Sequence, residues 1–253
     1  MRLLRFRYAD RIATGAILDD DTIRVLEGTF FERPVPTGEE IPLDDVHLLA
    51  PVLPSKIVGV GKNYAAHAAE MGDESVSDEP RLFLKPSTAV IGPGDPIPLP
   101  SISHRVEFEG ELAVVIGRLA RYVRAEEAGR YILGHTIAND VTLRDLQKPD
   151  EQWARAKGFD GSCPLGPWIE TDLDPSDVFI QTRLNGEPRQ QATTADMVFG
   201  VATLIESITS FMTLLPGDVI ITGTPEGTGK LESGDLVEVD VDGIGVLANP
   251  VAS

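Results

Sequence analysis

Residues 105–117, RVEFEGELAVVIG, constrain what this chain can fold into more than any other stretch. Side chains alternate faces along a strand, so Glu107, Glu109 and Glu111 point one way while Phe108 and Leu112 point the other, as core positions do. The run then continues through AVVIG without a charge, which takes the strand into an interior where unpaired glutamates are costly. That acidic face is either solvated or compensated. A divalent cation is the natural compensator, because Mg²⁺, Mn²⁺ and Ca²⁺ favour carboxylate oxygens.

The remaining pattern is rich in short strands. With 24 glycines and 19 prolines among 253 residues, turns are frequent. Alternating runs at 3–8, 11–18 and 22–27 read as small antiparallel strands. Pro51 and Pro54 form a joint before the next strand at 56–60, so the boundary falls between a small N-terminal domain, 1–52, and a larger domain, 53–253. Further strands are expected at 82–85, 89–91, 106–117, 132–141, 168–170, 178–184 and 218–222. Hairpin turns are expected at Asn185-Gly186 and Asp242-Gly243. Helices are expected at 63–71, 125–130 and 201–215. Few helices, not alternating regularly with strands, indicate an α+β fold. The last helix carries Val201, Leu204, Ile205, Ile208, Phe211, Met212 and Leu215 at three- and four-residue steps and stops at Pro216-Gly217. Glu206 and a band of Ser and Thr make it a buried amphipathic helix and not a membrane span.

The charge balance restricts partners. Twenty-two Lys and Arg against 40 Asp and Glu give a net charge of −18, which excludes a protein built to neutralise nucleic-acid phosphates or anionic lipid. An anionic substrate would be repelled by the global field, so its attraction must come from a bound cation or from locally placed Lys and Arg. The single cysteine, Cys163, makes no intrachain disulfide and reads as a small buried residue. The start, MRLLRFRYADR, interrupts its apolar residues with Arg too often for a signal peptide, so a cytoplasmic location is expected.

Several other positions carry chemistry. Asp140 ends an otherwise apolar strand, where a ligand is usual, and Arg144 and Gln147 follow it. Asp145 reads as structural, bonded to a neighbouring Lys or Arg. His67 and Glu70, three apart on a helix, share a face and can act as a carboxylate-assisted base in a mobile lid, or simply pair at the surface. His47, His104 and His135 read as structural. Lys157 precedes a glycine that lets backbone approach a ligand. TGTPEGTG, residues 222–229, follows a strand but lacks the ending of a phosphate-binding P-loop.

Taken together, GVGKNYAAHAAEM, LFLKPSTAVIGPGDPI, VEFEGELAVVIGR, ANDVTLRDLQ, KGFDGSCPLGPW and ITGTPEGTG resemble the fumarylacetoacetate hydrolase superfamily, in its order, from Lys56 to the C-terminus. The resemblance implies a mixed β-roll with its active site in the mouth, preceded here by a small β-rich N-terminal domain, and a homodimer. It implies a divalent cation, Mg²⁺ or Mn²⁺ with Ca²⁺ as a further candidate, held by Glu109, Glu111 and Asp140, with Glu107 outside the ligand pattern. It also implies that His67 and Glu70 activate water, that Lys157 stabilises an enolate, and that Arg144, Gln147 and Thr224 surround the carboxylate of a small 2-oxo acid. The compact bacterial members it most resembles act on acylpyruvates, oxaloacetate or 2-hydroxyhepta-2,4-diene-1,7-dioate. Acylpyruvate hydrolysis is the first expectation, decarboxylation or isomerisation the second, and a non-catalytic keto-acid-binding protein the alternative from another class. The substrate's tail is expected to meet residues 72–80 and 149–156.

Overall fold

The computed structural model describes residues 1–19, 21–71 and 77–252. One large mixed sheet dominates. From edge to edge its order is Val35–Pro42, Thr22–Glu27, Arg11–Asp19, Arg2–Tyr8, Cys163–Glu170, Ile132–Asn139, Gly110–Ile116, Val219–Ile221, Lys56–Gly61 and Arg81–Pro86. The N-terminal strands form a meander that enters this sheet where Arg2 and Leu3 pair with Glu170 and Ile169. A second sheet, Glu187–Thr193, Phe179–Leu184, Leu236–Val241, Gly245–Ala252 and Ile97–Pro98, packs over part of the first. Its hairpin turns where expected, with Asn185 and Gly186 at φ +54° and +80°, the left-handed pair that matches strand twist. The fold is α+β, as the sparse helices indicated.

The central strand Gly110–Ile116 explains the layering. On one face, Leu112 joins a core shared with Ile180, Val239 and Leu247 of the second sheet, and Val114 and Ile116 pack against Leu204, Ile205 and Ile208 of the helix Val201–Phe211. On the other face, Ala113 and Val115 meet Leu3, Ile57, Leu165 and Ile221. Leu3 and Ile57 lie on strands far apart in the sheet order, so the sheet curls around this second core as a roll.

Three local expectations change. The helix ends at Phe211 and not at 215, because Met212 is already extended and Leu214 bridges to Ala120 through two backbone hydrogen bonds. Leu214 is therefore the buried residue, while Phe211 and Leu215 are 56% and 41% exposed. The strand expected at 168–170 begins at Cys163, since Pro164, Gly166 and Pro167 lie inside an extended buried segment and not in turns. Val35–Pro42, not among the strands expected, forms the sheet's outer edge, where a missing N–H costs least.

The feature that positions the site is a seam. The strand expected at 106–117 divides at Glu109 into Val106–Phe108 and Gly110–Ile116. Its neighbour divides at Asp140, between Ile132–Asn139 and Thr142–Leu143. The neighbour on the other side runs from Val219–Ile221 through the 222–228 loop to Gly229–Lys230. The three first halves are adjacent in the large sheet, and the three others form a small sheet in the same order. At the crossing, side-chain amides take over the ladder: Glu109 N donates to Asn139 Oδ1 and Gly110 N to Gln190 Oε1, both at 2.9 Å. Gly110 is required there, because a Cβ would stand 2.1 Å from Thr182 Oγ1.

Candidate active site

Both acidic positions read from the sequence fall on the seam, joined by the 2.8 Å hydrogen bond from Asp140 N to Glu109 O. Glu109, Glu111 and Asp140 are all buried, and each offers an oxygen within 4.8 Å of the others. A cleft of about 870 Å³ opens over them, and it is also lined by His67, Glu70, Arg144, Gln147, Lys157 and Thr224. The structure thus brings every sequence-derived candidate except fully buried Asp140 to one cavity wall, with Asp140 directly behind it.

Compensation of the acidic face is mostly by basic side chains. Lys157 Nζ bridges Glu109 Oε2 at 2.7 Å and Asp140 Oδ2 at 2.5 Å, and Lys85 Nζ holds Asp140 Oδ1 at 2.5 Å. Arg144 donates to Glu107 at 2.6 Å, Glu109 at 2.5 Å and Gln147 at 2.7 Å. Glu107 also accepts from Arg105, which accounts for its place outside the ligand set. The Lys157 and Arg144 charges overcome the effect of burial and hold the Glu109 carboxyl well below the usual carboxylate range. Burial weighs against charge on Lys157 too, but Asp140 and Glu109 raise it above the usual lysine value.

Glu111 differs. Its recorded partner is the backbone N–H of Gly223 at 2.6 Å, and Gly223 reaches it in a left-handed conformation, φ +98°, against Asn63. Burial, then Asp140 and Glu109, push its carboxyl well above the usual value. A buried carboxylate with no basic partner among the described residues, beside two others at ligand spacing, is a donor set suited to a hard divalent cation. The three residues therefore fit the expected ion.

The lid helix, Ala65–Glu70, is short, and residues 72–76 of the stretch expected to meet the substrate's tail lie outside the described residues. His67 is buried, and Glu70 is half-exposed. His67 Nδ1 lies 3.1 Å from Glu70 Oε2, and Gly227 N also donates to that carboxylate at 3.3 Å. A carboxylate at Nδ1 favours the tautomer protonated there, which leaves the Nε2 lone pair to act as a base. The pair therefore belongs to the cleft and not to an isolated surface contact.

Two assignments shift. Thr224 Oγ1 donates to Gly110 O at 2.9 Å and accepts from Gln190 Nε2 at 2.7 Å, so its hydroxyl fastens the seam. Asp145 is structural as expected, but through Ser103 Oγ at 2.5 Å and His104 N at 2.9 Å and not through a Lys or Arg. Sequence reasoning passed over Lys85, Asn139 and Gln190. Lys85 had a readable signal, a lysine on the alternating face of the apolar strand LFLKP; the two amides had none, because they act at a break that periodicity does not show.

The chain thus combines a curled sheet with a carboxylate-lined mouth and a His–Glu pair beside it. Residues 56–252 match the fumarylacetoacetate (FAA) hydrolase C-terminal family, and residues 1–51 match the family described as Rv2993c-like, N-terminal. The chain belongs to the fumarylacetoacetate hydrolase family. It is 50% identical over 260 residues to Protein Rv2993c of Mycobacterium tuberculosis, across 99% of this chain and 98% of that one. It is 41% identical over 223 residues to the oxaloacetate tautomerase YisK of Bacillus subtilis, across 83% of this chain and 74% of that one. The solved structure of 5-carboxymethyl-2-hydroxymuconate delta-isomerase from Mycobacterium smegmatis superposes with a TM-score of 0.94 at 50% identity, covering 100% of this chain and 99% of that chain. No helix among the described residues is long and apolar enough to cross a membrane.

Proposed function

We propose that this chain catalyses proton transfer on a small 2-oxo acid, interconverting its keto and enol forms or their double-bond isomers. The observation that carries this reading is the placement of one His–carboxylate base and one buried triad of carboxylates on the same cleft. Names of relatives add weight: one is a tautomerase and one an isomerase.

Glu109, Glu111 and Asp140 would hold the divalent ion, with Mg²⁺ or Mn²⁺ the fitting choices. When bound, it supplies a Lewis acid for the C1 carboxylate and C2 oxygen of the substrate. His67 Nε2 takes a proton from C3; the electrons of that C–H bond form the C2=C3 double bond, and negative charge collects on the C2 oxygen. The Lys157 ammonium stands at this end of the cleft and stabilises that charge, which is present chiefly in the transition state. Return of the proton to the C2 oxygen completes the enol. Glu70 keeps the His67 ring oriented through its 3.1 Å contact with Nδ1. Arg144 holds Glu107 and Glu109 in place, and Gln147 borders the space for the C1 carboxylate.

Electrostatics agree with this order of events. Four carboxylates, Glu107, Glu109, Glu111 and Asp140, are set against four cations, Arg105, Arg144, Lys85 and Lys157, so the wall is formally neutral. A divalent ion together with a substrate carrying a carboxylate and an enolate oxygen keeps it neutral. The acidic protein thus admits an anion it would otherwise repel.

Acylpyruvate hydrolysis is the second reading, supported by the same pair: His67 would take its proton from water and direct the oxygen at the distal carbonyl. The two separate in one assay, which follows the enol absorbance of oxaloacetate and pyruvate release from an acylpyruvate, with Mg²⁺ and then with chelator. Enol–keto interconversion that is metal-dependent and lost in His67→Ala supports the proposal. Pyruvate release without tautomerisation transfers it to hydrolysis, and rates indifferent to chelation and to Glu109→Gln overturn both.

A further inference from the structure

The edge strand Arg81–Pro86 runs along the cleft, with Arg81 and Phe83 facing it and Lys85 buried behind it. Lys85, at one end, grips Asp140. Phe83, in the middle, lies under Lys157, whose Nζ is 5.0 Å from the ring centroid. Arg81, at the other end, lies over Trp153 with its Cζ 5.8 Å from that ring's centroid, and Trp153 in turn tilts against Phe83 at 5.7 Å. At about 3.3 Å per residue, the two ends of this row are about 13 Å apart along the backbone.

Both rings are fixed by glycines. In the adjacent strand, Gly59 pairs with Phe83 and Gly61 with Arg81. A Cβ on Gly59 would stand 2.1 Å from the Phe83 ring, and one on Gly61 would stand 2.7 Å from the Trp153 ring. Phe83 and Trp153 occupy the space those side chains would fill, so the platform beneath Arg81 is rigid. A guanidinium stacked on a ring keeps its N–H edge free for a carboxylate. Of the cations bordering the cleft, Arg105, Arg144 and Lys157 are bonded to carboxylates and Lys62 is also engaged, whereas no carboxylate among the described residues pairs with Arg81. Lys148 is also unpaired among them, but no ring holds it.

We propose that Arg81, seated on Trp153, binds the remote carboxylate of a 2-oxo dicarboxylate whose 2-oxo acid end lies at the seam, and so sets a preference for diacids over monoacids. This rests on the 2-oxo acid reading of the seam but not on any turnover. Lys157, Phe83 and Arg81 then measure the substrate: charge, apolar wall, charge.

Binding decides it. Calorimetry with Mg²⁺ compares 2-oxoadipate and 2-oxohexanoate, equal in length and different in the terminal carboxylate. Wild type should bind the diacid about tenfold or more tightly, as a charge-assisted pair in a partly desolvated cleft allows. Arg81→Gln should reduce that ratio to about one by weakening the diacid alone, Arg81→Lys should restore part of it, and Trp153→Leu should lower it with Arg81 intact. Arg81 is exposed, and thermal melting of each variant checks folding. Equal wild-type affinities, no binding of either acid, or a preference that survives Arg81→Gln overturns the proposal. Arg81-dependent diacid preference without tautomerisation of any 2-oxo acid would retain it and remove the functional reading instead.

Discussion

The cleft has two kinds of wall, and they treat charge differently. At the seam, Glu109 and Asp140 are buried and locked to Lys85, Lys157 and Arg144 through contacts of 2.5 to 2.7 Å. At the lid, Glu70 is 39% exposed and makes longer contacts to His67 and Gly227. A buried charge that loses its partner is expensive, whereas a half-exposed one is rescued by water. Substitutions at the seam should therefore harm folding and activity together, and those at the lid activity alone.

The largest effect should come from Asp140→Asn. Asp140 accepts from both Lys85 and Lys157, so the amide leaves buried Lys85 without its counter-ion among the described residues and Lys157 with Glu109 alone. We expect a loss of about 3–5 kcal/mol in stability, as for broken buried pairs, together with loss of Mg²⁺ binding by calorimetry. Stability close to wild type would mean that the seam is wetter than its burial indicates.

His67→Ala should lower kcat about 10²–10⁴-fold, the usual contribution of a positioned base, while metal affinity stays within twofold. If metal binding fell as far as turnover, His67 would belong to the seam and not to the lid.

His135 offers a third way to bury a titratable group: it gives up its charge. Neither ring nitrogen has a partner among the described residues, and burial lowers its pKa to about 4, with Asp174 opposing weakly. The unfolded chain, with a histidine near 6.5, then binds more protons than the folded one between those values. Stability is complete above about pH 6.5 and falls as pH drops toward 4. Between pH 7 and pH 5 the loss should reach about 2 kcal/mol. His135→Leu should flatten that part of the profile, read from denaturant midpoints at the two pH values. An unchanged slope would show that His135 does not carry it.

How much of this was visible in the sequence differs between the two walls. Period-two alternation placed Glu107, Glu109 and Glu111 on one face, and that survives because all three face the cleft. It missed the break at Glu109, since Asn139 and Gln190 replace the ladder bonds there from strands distant in sequence. Local pattern has no access to such partners. For the same reason Arg144 and Thr224 read as free to meet substrate, while the fold commits them to Glu107, Glu109, Gly110 and Gln190. The helical stripe was legible through Ile208 and failed at Phe211, because the pairing of Leu214 with Ala120 extends the chain one turn early. The His67–Glu70 pair was legible, being local.

The smallest effect should come from Glu70→Gln, the same acid-to-amide change made at the other wall. The glutamine oxygen can still accept from His67 Nδ1, so the ring keeps its orientation, and solvent covers what the amide leaves unmet. Only the negative charge beside the ring is lost. Stability should stay within about 0.5 kcal/mol, as for surface changes. The rate should fall about tenfold, equivalent to about 1.4 kcal/mol of lost transition-state stabilisation. Measured beside Asp140→Asn, this variant isolates burial as the variable. Equal destabilisation of the two would mean that Glu70 is held by the protein as tightly as the seam carboxylates are, and the lid would then be a fixed wall.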